Sequence, residues 1–80
     1  MAKDLVSALS DLQAAEQAVT DAEAQVRASR AQVRAARKGL HEAIIAAYED
    51  GTRVRDLVEV TGLSRERIRQ ILRAAGVEPW

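Results

Sequence analysis

A sevenfold repeat of apolar residues runs through the first half of this 80-residue chain. Counting by sevens from Leu5, every position is apolar: Leu5, Leu12, Val19, Val26, Val33, Leu40 and Ala47. The residues three places further on are all small: Ala8, Ala15, Ala22, Ser29, Ala36 and Ala43. Two such series are typical of a coiled-coil seam, with aliphatic side chains at position a and small ones at position d. The pattern predicts a long helix that packs against another helix.

The same half of the chain is rich in helix-forming residues. Between Ala2 and Asp50 it has no proline, and its only glycine, Gly39, marks either a kink or a tolerated position inside a helix. One helix is predicted from about Asp4 to about Glu49, a length of about 70 Å at roughly 1.5 Å per residue. The remaining residues are too few to cover so long a stripe. A second copy is therefore the simplest partner, and a four-helix assembly or a different partner protein are the alternatives.

The residues that flank the seam predict the direction of the partner helix. At position e they run from apolar and acidic to basic and apolar: Leu9, Glu16, Glu23, Arg30, Arg37 and Ile44. In an antiparallel pair with Val26 opposite Ser29 of the second copy, acidic e residues face basic ones. The resulting pairs are Glu23 with Arg30, Glu16 with Arg37, and Leu9 with Ile44. A parallel pair offers little such attraction, so we expect an antiparallel homodimer. Its predicted interface consists of Leu5, Leu9, Leu12, Glu16, Val19, Glu23, Val26, Arg30, Val33, Arg37, Leu40 and Ile44.

The second half of the chain contains two short helical patterns. Asp50-Gly51-Thr52 is the first clear helix breaker, and Thr52 is predicted to cap a helix over residues 53–60. Gly62 then lies in a turn that requires a left-handed backbone. Ser64 is predicted to cap a third helix that runs to about Ala75.

The stretch "LVEVTGLSRERIRQIL" resembles the helix-turn-helix family of DNA-binding domains. It shares the apolar pair, the glycine, the following apolar residue and the serine, but has Val58 where the family most often has alanine. The chain as a whole is similar to small actinobacterial and phage regulators in which an alanine-rich helix precedes such a motif. The heptad pattern and the resemblance together predict an all-α fold with a coiled-coil dimerisation helix (1–39), a trihelical helix-turn-helix unit (40–76) and a tail (77–80).

The family places its second motif helix in the major groove of DNA, with the first turns on base edges. By that resemblance, the residues expected to contact bases are Ser64, Arg65, Glu66, Arg69, Gln70 and Arg73. Those expected to contact phosphates are Thr52, Arg53, Arg55 and Arg67. Arginine, glutamine and glutamate suit guanine, adenine and cytosine respectively, whereas phosphate contacts position the protein without specifying a sequence.

Composition excludes several other classes of function. The chain has no cysteine and one histidine, which excludes disulfides and cysteine-ligated zinc. We see no nucleophile–base pair, cofactor motif, small-molecule site or membrane-spanning run, so an enzyme is not expected. The expected function is a cytoplasmic, nucleoid-associated DNA-binding protein, sequence-specific or architectural, whose antiparallel homodimer presents two units at opposite ends. The alternative is an adaptor that recruits another protein through its coiled coil.

Overall fold

The structure is a computed structural model that describes residues 4–78. It contains a long helix α1 (Leu5–Glu49) and two short helices, α2 (Val54–Thr61) and α3 (Arg65–Ala74). No strand is present within the described range. The predicted all-α class with a long N-terminal helix is thus confirmed, whereas half of the predicted tail lies outside the described residues.

Helix α1 begins with a side-chain cap and continues without interruption through Gly39. The Asp4 carboxylate accepts a hydrogen bond of 2.7 Å from the Ser7 amide, which satisfies one of the free N–H groups at a helix start. Every residue from Asp4 to Leu40 is exposed in the single chain. The chain divides into two compact units, one up to Arg34 and one from Ala35 onwards, and the second is called the C-terminal unit below.

The end of α1 explains why the next helix starts later than predicted. Gly51 has a φ of 105°, its N–H donates to the Tyr48 carbonyl (3.0 Å), and the Thr52 N–H donates to the Ala47 carbonyl (2.9 Å). This pair of bonds is a Schellman motif. The prediction that Thr52 caps α2 is wrong, because Thr52 belongs to the end of α1. Arg53 holds the N-cap position of α2 instead and makes no side-chain capping bond.

The turn between α2 and α3 combines the predicted glycine with an unpredicted hydroxyl clamp. Gly62 has a φ of 73° and donates its N–H to the Val58 carbonyl at 2.9 Å. The Thr61 hydroxyl donates to the Leu57 carbonyl (2.7 Å) and accepts the Leu63 N–H (3.1 Å). One side chain therefore satisfies a backbone group on each side of the turn.

All three helices contribute to the core of the C-terminal unit. Six side chains are buried: Ile44, Val54, Leu57, Ile68, Ile71 and Leu72. Partly buried apolar residues pack around them: Ile45, Ala47, Tyr48, Val58, Leu63 and Val77. Four of these residues lie in the last turns of α1: Ile44, Ile45, Ala47 and Tyr48. Ile44 corrects the predicted dimer interface: it is only 2 % exposed, so it fills the core of its own chain and is not available to Leu9 of a second copy.

Candidate nucleic-acid interface

Helix α3 has one buried face and one polar face. Ser64 caps it as predicted, since the Ser64 hydroxyl accepts the Arg67 N–H at 3.0 Å. Ile68, Ile71 and Leu72 are buried and recur at helical spacing, so they attach α3 to the rest of the unit. The opposite face is left with polar and charged side chains over almost three turns.

The structure brings the predicted base-contact residues together on this polar face. Five of them are exposed: Ser64, Arg65, Glu66, Gln70 and Arg73. Arg69 is half-buried. The helix carries four arginines and one glutamate, a net charge of +3. A polar, positively charged face on a short, well-anchored helix can enter the major groove of DNA.

Two weak contacts within α3 link some of these side chains to one another. The Arg73 guanidinium lies 3.8 Å from the Glu66 carboxylate, and the Arg67 guanidinium donates to the Gln70 side-chain oxygen at 3.5 Å. All four side chains are on the surface. Exposed ion pairs are worth about 1 kcal/mol or less, so these groups can exchange partners at little cost.

A groove of about 760 Å³ lies on one side of α3, and three arginines line it. Arg53 and Arg55 come from the start of α2, and Arg65 comes from the first turn of α3. Thr52, also expected to contact phosphate, lines the same groove and is half-buried. Arg55 additionally lies 3.6 Å from the Asp56 carboxylate. The structure thus groups three predicted phosphate residues with one predicted base residue.

The fourth predicted phosphate residue lies elsewhere. Arg67 lines a separate groove of about 350 Å³ together with Gln70, Ile71 and the half-buried His41 and Ile45 of α1. Sequence reasoning did not separate the two groups of arginines. The helical period does separate them, because Arg65 and Arg67 are two residues apart and so project to different sides of α3.

The other predicted surface lies on α1, where large apolar side chains are exposed in the single chain. The exposed fractions of the leucines and valines at position a range from 88 % at Leu5 to 41 % at Leu40, whereas Ala47 packs against the core of the C-terminal unit. A shallow notch of about 380 Å³ surrounds Ala22, between Val19 and Val26, with Glu23 and Arg30 on its edge. This row of side chains, together with the small residues at position d, is called the seam below. Val60 of α2 is also highly exposed.

Two further searches concern other classes of site. Within residues 4–78, no group of three or more histidine, aspartate or glutamate side chains is placed to hold a metal ion. No helix among those residues is long and apolar enough to cross a bilayer.

Comparisons of the chain with protein-family models, with curated proteins and with solved structures find no match.

Proposed function

We propose that this chain is a non-enzymatic protein that binds double-stranded DNA through its C-terminal unit, with α2 and α3 acting as a helix-turn-helix. The observation that carries the proposal is the polar face of α3. Its buried side is fixed by Ile68, Ile71 and Leu72, so the five exposed polar side chains are held on a rigid element. Recognition of bases requires that the side chains which contact them are held in fixed positions.

Each side chain on this face has a partner chemistry in the major groove. Arg73 and the half-buried Arg69 suit guanine, whose O6 and N7 accept two hydrogen bonds from a guanidinium. Gln70 suits adenine, and Glu66 accepts from the cytosine amino group. These donors and acceptors differ along the helix, which favours recognition of a particular sequence over uniform attraction to the backbone.

Arginines on both sides of α3 suit the two phosphate backbones that border the groove. Arg53 and Arg55 lie on one side and Arg67 on the other. Arg65 lines the same groove as Arg53, so we propose that it reaches phosphate as well as base. Seven acidic side chains in the described part of the C-terminal unit weaken its overall positive potential: Glu42, Glu49, Asp50, Asp56, Glu59, Glu66 and Glu78. We therefore expect modest affinity for unrelated sequences and stronger dependence on the α3 contacts.

The seam supports a homodimer as the form that binds DNA. A monomer would leave large aliphatic side chains of α1 in water, whereas a second copy covers them. Two C-terminal units per dimer then contact two half-sites, as expected of a transcriptional regulator or an architectural protein.

The same exposed seam favours a second candidate function, an adaptor that recruits a different protein. In that case the arginines of α3 only solubilise the surface. The two functions differ in what the α3 face does, so a test on that face separates them.

The test is binding of a short mixed-sequence duplex, measured by fluorescence anisotropy at several salt concentrations. We expect the affinity to fall as the salt concentration rises. The logarithm of the association constant should decrease by about 0.9 per logarithmic unit of salt concentration for each phosphate contact. The double variant Arg65→Ala with Arg69→Ala should bind at least about tenfold more weakly, since each lost contact costs about 1–3 kcal/mol.

A matched control removes the same charge elsewhere. Arg34→Ala with Lys38→Ala deletes two exposed basic side chains of α1, at positions b and f, that lie away from the seam and should leave DNA affinity almost unchanged. If the α3 double variant stays folded by circular dichroism and binds as tightly as the control, the DNA-binding proposal is wrong.

A further inference from the structure

The seam of α1 has a specific geometry that determines how a second copy packs against it. It combines three features: exposed aliphatic side chains at position a, charged side chains in the middle of the e edge, and small or amide side chains along the g edge from Ala18 to Ala46. The inference below rests on the proposed homodimer but not on DNA binding.

The charges of the e edge select an antiparallel partner. Glu16 and Glu23 precede Arg30 and Arg37 along the helix, and all four are exposed. In an antiparallel pair, Glu16 lies opposite Arg37 of the second copy and Glu23 lies opposite Arg30. Each half of the dimer then has two pairs of opposite charge. The burial of Ile44 removes the predicted apolar pair with Leu9 but leaves these ion pairs intact. The charge pattern therefore matches a second copy of this chain and its register.

The notch around Ala22 fits the same register. When Val26 lies opposite Ser29 of the second copy, Ala22 lies opposite Val33. Val33 is 53 % exposed in the single chain, and the notch has apolar walls from Val19 and Val26. A large side chain at position a thus enters the space left by a small one at position d, as in knobs-into-holes packing.

The g edge gives Gly39 a role that the single chain does not provide. In this register Gly39 lies opposite Ala18 of the second copy, and Gln25 lies opposite Gln32. A glycine inside a helix costs stability relative to alanine, and α1 runs through Gly39 without a break. Beyond the adjoining backbone of the helix itself, a β-carbon built at Gly39 would meet no atom within 4 Å, so no packing contact inside the chain requires a glycine there.

We propose that a second copy of this chain packs antiparallel on the seam, with Val33 in the Ala22 notch of its partner and Gly39 against Ala18 on the edge of closest approach. The four charged residues of the e edge lie on one side of the contact, and the g edge, uncharged from Ala18 to Ala46, lies on the other. Two helix backbones can approach more closely where glycine and alanine meet than where longer side chains meet.

Direction and register are tested by disulfide trapping without DNA. The chain has no cysteine, so Ala22→Cys and Val33→Cys each introduce a single thiol. An equimolar mixture of the two variants in a glutathione redox buffer should form mainly the mixed disulfide, which joins one copy of each variant. Predominant disulfides between two copies of the same variant would indicate a parallel pair. A mixed product no more abundant than random pairing would also overturn the proposal.

The role of Gly39 is tested by sedimentation equilibrium. Gly39→Leu should raise the dimer dissociation constant by at least about tenfold, because a large side chain separates the helices at their closest approach. The matched control is Ala31→Leu at position f, which is exposed and faces away from the seam, and it should change the constant less than about twofold. Equal effects of the two substitutions would remove Gly39 from the interface.

The outcomes separate this inference from the proposed function. If the chain binds DNA through α3 but forms no mixed disulfide, the DNA-binding proposal stands and the proposed dimer geometry is wrong. If the mixed disulfide forms but the chain does not bind DNA, the dimer geometry stands and the adaptor function is supported instead.

Discussion

Truncation of two apolar residues of α1, one turn apart, should affect two different properties: the stability of the C-terminal unit and the self-association of the chain. Ile44 is 2 % exposed and belongs to the core of the C-terminal unit, whereas Leu40 is 41 % exposed and belongs to the seam. Ile44→Ala should therefore destabilise the unit itself. Leu40→Ala should weaken self-association and leave the unit folded.

The size of the Ile44 effect follows from its burial. Removal of three carbon atoms forfeits about 0.8 kcal/mol each, and the cavity left behind raises the total to about 2–5 kcal/mol. The core has only six buried side chains, and a single core of this size supplies no more than about 3–5 kcal/mol. Ile44→Ala should thus remove most of the free energy of unfolding of the C-terminal unit.

The size of the Leu40 effect is smaller and is of a different kind. Burying a whole leucine side chain contributes about 1.5–3 kcal/mol, and less than half of the Leu40 surface remains to be covered by a partner. Leu40→Ala should therefore cost about 1 kcal/mol per chain in dimer stability. An exposed substitution of this kind should change the stability of the C-terminal unit by about 0.5 kcal/mol or less.

The assay is amide hydrogen exchange by NMR combined with sedimentation. The Ile68 amide donates to the Ser64 carbonyl at 3.0 Å, so its exchange reports opening of the first turn of α3. Ile44→Ala should abolish protection at Ile68 at every protein concentration, and Leu40→Ala should preserve it. Preserved protection at Ile68 with weakened self-association in the Ile44 variant would show instead that Ile44 belongs to the seam.

Three further substitutions test separate contacts. Glu23→Arg should weaken the dimer by about 1–2 kcal/mol, because it places an arginine opposite Arg30 of the second copy twice in each dimer. Adding Arg30→Glu should restore the dimer, and sedimentation that shows no restoration would argue against the antiparallel pairing. Ser64→Ala should cost about 1 kcal/mol of stability through the lost α3 cap, and an unchanged melting temperature by circular dichroism would contradict that role. Thr61→Val should cost about 1–3 kcal/mol, because it leaves two backbone groups of the turn without their hydroxyl partner, whereas Thr61→Ser should melt close to the parent chain.

The sequence predicts the helix boundaries well where glycine ends a helix. Gly51 and Gly62 both have positive φ, and both follow the last residues of a helix, as expected of residues without a side chain. The start of α2 was misplaced because Thr52 is a good capping residue in isolation. The Thr52 N–H donates to the Ala47 carbonyl at the end of α1, and local residue propensity does not predict that contact.

Other features depend on tertiary contacts that periodicity alone does not resolve. Ile44 continues the e series of the heptad, yet it belongs to the same core as the apolar side chains of α2 and α3, and core packing determines its place. The Thr61 clamp was missed because a threonine in a turn has several possible partners. For the polar face of α3, the spacing of Ile68, Ile71 and Leu72 predicts which residues are exposed, with Arg69 misjudged as the half-buried member of the set.

Contact between the polar face of α3 and DNA can be tested by NMR titration of the isotopically labelled chain with duplex DNA. We expect chemical-shift changes or line broadening to concentrate on residues 64–73 and 52–55, with the amides of residues 5–34 unaffected. Changes confined to the arginine-rich stretch 27–38 of α1, or none at saturating DNA, would contradict it.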